Sequence, residues 1–345
     1  MIRTVVIIHP GALGDVLLAV PAIVNLRRRF PRHEFVLCAD HRVGELLKDC
    51  GIIDGSLSVQ GLGFGQLFGG AIDPESVMWN WLTRCDLAVA WVKDEEGILE
   101  EVLRRHVRGK VAVCSPFSPR LSSVHQSDRF WEALGEAPSE NLEPVALQFP
   151  QPLRELGRAR LREADITPDR EIILLHPGSG SPFKCVKPEV LAEVIDDLRK
   201  DGLELALLEG PADHMAIGNV ARLVKGRVSV LRNLSLELLA GVLASADLFV
   251  GHDSGVSHLS ALIGVETVAL FGPTMVERWS PRGNHVTAVR ADTCRCSNWE
   301  TVNSCVERPC LGISPHALLE ICRQRLACRN SSKIHTKRLV SHQAV

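Results

Sequence analysis

No apolar run in this 345-residue chain reaches the roughly 18 residues that a membrane-spanning helix needs. No secretory leader is expected either. Val5-Val6-Ile7-Ile8 is too short an apolar core for one, and Pro10 and Gly11 close it. A cytoplasmic protein is therefore expected. The chain also lacks an excess of one charge. Its formal net charge is −2, whereas nucleic-acid binders normally carry a strong basic surplus, so no nucleic-acid partner is expected. The first loop after a strand matches neither G-x-G-x-x-G nor G-x-x-x-x-G-K-[ST]. Without the dinucleotide fingerprint, a dinucleotide-dependent dehydrogenase is disfavoured, and the chain has no P-loop there.

What is present suits two ordinary globular domains. Hydrophobic residues make up 46% and charged residues 23%, enough for real cores and too apolar for wholesale disorder. The 11 cysteines are an odd number. Cys38, Cys50, Cys85, Cys114 and Cys185 are scattered singly and read as reduced, mostly buried thiols.

Strand-like and helix-like segments alternate throughout, the mark of a parallel sheet covered by helices. Strands are expected at 4–9, 34–40, 86–92 and 110–117, again at 203–210 and 228–233, and in 171–180, 247–255 and 266–274, each of these three a strand running into a loop. A helix from Gly14 to Arg29 contains Pro21, where a kink or break is expected. The Gly- and Phe-rich stretch 60–71 reads as a mobile loop or a surface turn. The charged stretch 150–170 reads as a helix ending the first domain. His9-Pro10-Gly11 and His176-Pro177-Gly178 follow strands at equivalent places in the two halves, which suggests two similarly built α/β domains. The last helix is expected at Pro315–Cys328, followed by a disordered basic tail.

In an open α/β sheet ligands bind outside the carboxyl ends of the strands. HPGALGD (9–15), HPGSGSPFK (176–184), GHDSGVSH (251–258) and FGPT (271–274) all fall there. In the first loop, Gly11 and Gly14 let backbone approach a ligand, and Asp15 stands at the mouth of a helix. Asp15 reads as a helix-favouring acid or as a general base. In the third loop, Asp253, Ser254 and Gly255 form a phosphate-shaped turn at a helix start, with His258 one turn in. His258 alone reads more readily as a core or helix-surface histidine; beside this loop the two readings stand even. The second loop offers Ser179, Gly180, Ser181 and then the cation of Lys184. Two anion-friendly loops and a lysine in one domain suggest a diphosphate ligand.

HPGALGDVLLAVPAIVNLRRRFP resembles the opening of the family 9 glycosyltransferases, which include the lipopolysaccharide heptosyltransferases. The resemblance continues in LLHPGSGSPFKCVKPEVLAEVI, in SLELLAGVLASADLFVGHDSGVSHLSALIGVETVALFGPT and in CRCSNWETVNSCVERPCLGI. These pieces come in order and cover most of residues 1–325, most weakly between 40 and 150. The resemblance implies a GT-B fold, α/β, with two facing Rossmann-like domains and the active site in the cleft between them. Residues 1–160 would take the acceptor, 161–328 the nucleotide-sugar, and 329–345 would be the basic tail.

The family implies a metal-independent, inverting enzyme without a cofactor. It would move heptose from ADP-heptose, or a related nucleotide-sugar, to a lipid-anchored lipopolysaccharide core acceptor. Asp15 matches the family's catalytic aspartate, and Lys184 the lysine facing the leaving diphosphate. Asp253, Ser254, Gly255 and His258 match the donor-phosphate loop. The family usually reads lysine, any residue, tryptophan, proline at the second loop. Here the run is Lys184-Cys185-Val186-Lys187-Pro188, so the tryptophan is missing and Lys187 competes with Lys184. The donor ribose would meet a carboxylate, with Glu209, Asp213 and Glu237 as candidates.

Cys294, Cys296, Cys305 and Cys310 read as reduced thiols or a local disulfide ahead of a structural metal site. Arg27, Arg28, Arg29 and Arg32 read as a solvated helix end favoured by the dipole. As a second possibility they meet anionic headgroups at the inner face of the cytoplasmic membrane. The chain is expected to act as a monomer. The rival readings are a nucleotide-sugar 2-epimerase of the same fold and a non-catalytic nucleotide-sugar-binding module.

Overall fold

TVVII, the segment Thr4–Ile8, has every residue buried. An apolar run without alternation suits a strand covered on both faces, and this run forms β1, at the centre of a parallel sheet. The computed structural model describes residues 2–69, 72–116, 124–135, 145–167 and 170–342, with side chains to Asn330 except that of Leu62. The chain divides into two compact units, Met1–Pro150 and Gln151–Val345.

The first unit continues with α1 (Leu13–Arg29), β2 (Glu34–Ala39), α2 (His41–Asp49), β3 (Gly55–Ser58), α3 (Leu62–Gly65), α4 (Val77–Thr83), β4 (Cys85–Ala90), α5 (Ile98–His106), β5 (Lys110–Val113) and α6 (Gln126–Glu132). Its strands lie in the order β3-β2-β1-β4-β5 and pair in parallel. The order turns around at β1, so the loop after β1 lies where open α/β sheets bind ligands. The Gly- and Phe-rich stretch forms short α3 and a turn, with Gly70 and Ala71 outside the described residues.

The second unit is built of α7 (Gln151–Glu163), β6 (Ile172–His176), α8 (Pro188–Lys200), β7 (Glu204–Leu208), α9 (His214–Leu223), β8 (Ser229–Leu231), α10 (Leu236–Leu243), β9 (Leu248–His252), α11 (Gly255–Ile263), β10 (Glu266–Leu270), α12 (Val276–Trp279), β11 (Val286–Val289), α13 (Trp299–Ser304) and α14 (Pro315–His342). The strand order is β11-β10-β9-β6-β7-β8, again parallel. Ile173, Leu175, Val250, Leu270 and Leu318 lie in one buried cluster under the helices. Burying a side chain of this size is worth about 1.5–3 kcal/mol, which makes this cluster the unit's main store of stability.

Three features differ from the expectations. Pro21 lies inside an unbroken α1. A proline there removes one backbone bond, but Val16 through Ile23 are all buried, and that packing holds the helix through the gap. The helix at 151–163 opens the second unit instead of ending the first. The reason is its contact with α10: a Cβ on Gly157 would lie 2.0 Å from the Gly241 carbonyl carbon, and one on Gly241 would lie 2.1 Å from the Leu153 oxygen. Two helices touching backbone to backbone behave as one piece. Finally, α14 runs to His342, so the stretch expected as a disordered tail continues the last helix. Residues 343–345 lie outside the described ones.

The α7–α10 contact gives a stability test. Gly241→Ala should lower the urea midpoint, by about 1–3 kcal/mol of stability, because main chain has no rotamer with which to yield. An unchanged midpoint would show that the helices part easily.

Candidate donor and acceptor sites

The carboxyl edge of the second sheet carries the densest polar network. β6 ends at His176, and the chain turns through Pro177-Gly178-Ser179 into a short 3-10 turn at Pro182–Lys184. β9 ends at His252, and Asp253 and Ser254 lead into α11. Because β6 and β9 are neighbours, their loops meet. Lys184 Nζ lies 2.7 Å from Asp253 Oδ2, and Ser179 Oγ donates to the Asp253 carbonyl at 2.8 Å. Asp253 thus clamps the second loop to the third through both its side chain and its backbone. This ion pair is only partly exposed, with the lysine side chain at 20% and the aspartate at 9%.

Ser254 occupies the N-cap position of α11, yet its side chain makes no capping bond. Its hydroxyl lies 3.5 Å from His176 Nδ1 instead. His176 Nε2 in turn lies 2.8 Å from Asp213 Oδ2, and Asp213 also accepts the Gly210 N–H at 2.9 Å. Space for that carboxylate comes from two glycines: a Cβ on Gly178 would stand 1.8 Å from Asp213 Oδ1, and one on Gly210 would stand 2.5 Å from Oδ2. Burial alone would raise the Asp213 pKa, but the bond and charge of His176 and the Gly210 N–H hold it below the ordinary range. It is therefore a carboxylate. Gly255 begins α11, and His258 is buried one turn in.

Lys187, the competitor for the lysine role, is the N-cap residue of α8. It lines a cavity of about 650 Å³ together with Gly178, Ser179, Asp213, Met215 and Arg308. Lys184 alone of the two is joined to the Asp253 loop. Among the ribose candidates, Asp213 is bound to His176, Glu209 is held by Arg232 at 2.7 Å, and Glu237 sits in the first turn of α10.

Two residues that the sequence did not single out brace this loop. The Lys184 ammonium lies 5.8 Å from the Trp299 ring, and the Arg308 guanidinium lies 4.7 Å from Phe183. Both come from the cysteine-rich segment. An aromatic beside the lysine, expected two residues further along the loop, arrives instead from α13. All four cysteines of the segment are free thiols. Cys296 is pushed up to about 11 by burial and its Cys294 and Cys305 neighbours, and Cys310 to about 11 by burial and Cys294. Among the described residues, no group of three or more His, Cys, Asp or Glu is arranged to hold a metal ion.

In the first unit, His9, Gly11, Asp15, Trp91, Lys93 and Gln126 line a cavity of about 230 Å³. Asp15 sits in the first turn of α1, whose N-cap Ala12 offers no side-chain cap. His9 is buried against Trp91 and Phe130, ring centroids 5.8 and 5.1 Å away. Its Nδ1 accepts the Gly11 N–H at 3.2 Å, and burial pushes its pKa down to about 4. Gly14 lies in the helix beside Asp15. Trp91 and Phe130, each 1% exposed, form a buried aromatic wall behind this pocket. The wall was findable: Trp91 directly follows β4 at the sheet edge. The arginine cluster is largely engaged. Arg27 binds Asp54 through two bonds of 2.8 Å, and Arg29 lies over Trp131. No helix among the described residues is long and apolar enough to cross a membrane.

With this geometry in view, the comparisons are direct. Residues 139–309 match the family described as Glycosyltransferase family 9 (heptosyltransferase). The matched span contains Lys184 and the Asp253 loop, whereas Asp15 lies before it. Lipopolysaccharide heptosyltransferase 3 of Escherichia coli is 27% identical over 119 residues. The alignment covers 33% of this chain and 35% of that protein, so the match spans about a third of the relative's length. A family 9 glycosyl transferase structure from Veillonella parvula superposes with a TM-score of 0.76 at 18% identity, covering 94% of this chain and 97% of the other. The structure of E. coli ADP-heptose lps heptosyltransferase II gives 0.73 at 16% identity, covering 95% and 100%. The fold is α/β of GT-B type, with one parallel sheet in each unit.

The buried histidines make stability depend on pH. His252, like His9, is pushed down to about 4, chiefly by burial. Unfolded histidines titrate near 6.5, so between about 4 and 6.5 the unfolded chain binds more protons than the folded one. Stability should therefore be complete above pH ~6.5 and fall toward pH 4, by about 2 kcal/mol per histidine at pH 5. Urea midpoints measured between pH 7 and 5 check this, and a flat profile would contradict the buried neutral state.

Proposed function

We propose that the protein is an inverting, metal-independent glycosyltransferase that moves heptose from ADP-heptose to a lipopolysaccharide core acceptor. The observation that carries this reading is the clamp of Lys184, Asp253 and Ser179 at the start of α11. It sets a cation, hydroxyls and an uncapped helix N-terminus around one point, which favours a diphosphate. The choice of donor is supported by the match of residues 139–309 to the family 9 model and by a neighbour in fold whose name specifies ADP-heptose.

In the proposed reaction an acceptor hydroxyl oxygen attacks the anomeric carbon of the heptose. The bond from that carbon to the diphosphate oxygen breaks on the opposite face, so the configuration inverts. Asp15 takes the hydroxyl proton. A sugar hydroxyl is a weak nucleophile at neutral pH, and a placed base supplies about 10²- to 10⁴-fold. ADP leaves with added negative charge, stabilised by Lys184 and the first turn of α11. Ser179, Gly180, Ser181, Ser254, Gly255 and His258 surround the donor phosphates, and Gly11 and Gly14 let the acceptor approach Asp15. Lys184 takes the lysine role because it is tied to the Asp253 loop. The reaction runs at the cytoplasmic side of the membrane that carries the acceptor lipid, with the enzyme acting as a monomer.

Two measurements test the reading. In a thermal-shift panel of ADP-, UDP-, GDP- and CDP-sugars, ADP-sugars should raise the melting temperature most; a shift from UDP-sugars alone would remove ADP-heptose as the donor. Asp15→Asn should retain ADP binding while turnover falls about 10²- to 10⁴-fold. Undiminished turnover would reduce Asp15 to a helix-favouring acid.

A further inference from the structure

His176 and Asp213 are both buried, with 4% and 6% of their surface exposed, and the transfer chemistry does not use them. They stand behind Ser254, a residue whose behaviour is unusual. Serine at an N-cap normally turns its oxygen onto the second or third N–H of the helix. Ser254 does not. Its hydroxyl faces His176 Nδ1 at 3.5 Å, the outer limit of a hydrogen bond.

The direction of each bond follows from the partners. Asp213 is a carboxylate and only accepts, so His176 Nε2 carries a proton and donates it to Asp213. Nδ1 is left facing the Ser254 hydroxyl and shares the contact with it. Asp213 is itself fixed by the Gly210 N–H and by the space at Gly178 and Gly210. The chain of contacts therefore begins in rigid backbone and ends at the serine.

We infer that His176, oriented by Asp213, is a positioning residue that keeps the Ser254 hydroxyl off the end of α11, so that the first-turn N–H groups stay open to the donor's diphosphate. The inference rests on the reading of this loop as a nucleoside-diphosphate site. Without His176 Nδ1, the Ser254 oxygen turns onto the helix and caps it. The protein then competes with its own ligand for the same N–H groups. The serine is at once a part of the cradle and its nearest competitor, and the His–Asp pair decides between the two.

The test is a cycle of variants titrated by calorimetry with inorganic pyrophosphate and with ADP. His176→Gln keeps an amide N–H for Asp213 but has no ring nitrogen where Nδ1 was. It should fold with a lowered melting temperature, the site being buried, and bind both ligands roughly 2- to 30-fold more weakly, the range that a serine cap can impose. In a Ser254→Ala background no capping oxygen exists, so His176→Gln should cost nothing further. A residue holding up the fold alone would weaken binding equally in both backgrounds. Equal losses, or wild-type affinity in His176→Gln, overturn the inference. If wild-type protein binds neither pyrophosphate nor ADP, the anion cradle falls and the inference with it. If pyrophosphate binds and ADP has no advantage over UDP, GDP or CDP, the donor assignment fails, and the variants still decide the role of His176.

Discussion

A parallel sheet delivers the carboxyl ends of all its strands to one edge, and both candidate sites in this chain follow from that constraint. Antiparallel pairing would have sent half the loops to the far side. Here β6 and β9 are hydrogen-bonded neighbours, so loops some 70 residues apart in sequence arrive together. The Lys184–Asp253 ion pair and the Ser179–Asp253 hydrogen bond are the direct result. In the first unit the same constraint sets the loop after β1 beside the end of β4, which brings Asp15 and Trp91 to one cavity.

The price of such a site is polar burial. His176, His252, Asp213 and Asp253 are all buried at the sheet edge, and each would be costly there without a partner. Their partners are one another and the backbone: His176 on Asp213, Val186 N–H on His252, and Lys184 on Asp253. Apart from His252 Nδ1, which is buried without a partner, these bonds link the groups into a network that holds donors in place before a ligand arrives. It also explains why small residues recur in these loops. Gly178 and Gly210 leave the volume that the Asp213 carboxylate fills.

Much of this was readable from the residues. The strands TVVII, IILLH and LFVGH announced themselves because a strand covered on both faces needs no alternation. The paired His-Pro-Gly turns marked the same edge twice, and both histidines proved buried. The GHDSGVSH loop disclosed its helix start through glycine and serine chemistry. What escaped was information carried by distance. Pro21 signals a break locally, but tertiary packing of α1 overrides it. Nothing in GRAR around Gly157 says that Gly241 will lie against it, so the unit boundary was set too late. Trp299 and Arg308 belong to a segment that looked notable only for its cysteines, yet they pack against Lys184 and Phe183. The His176–Asp213 pair joins residues 37 positions apart, and no local pattern could announce it.

The placement of Trp299 carries an optical consequence. Its indole is 49% exposed to water and faces an ammonium group 5.8 Å away. The excited state of indole is sensitive to a nearby charge and to the order of surrounding solvent. An anion arriving at Lys184 changes both, so this chain has an emission reporter built in beside that lysine.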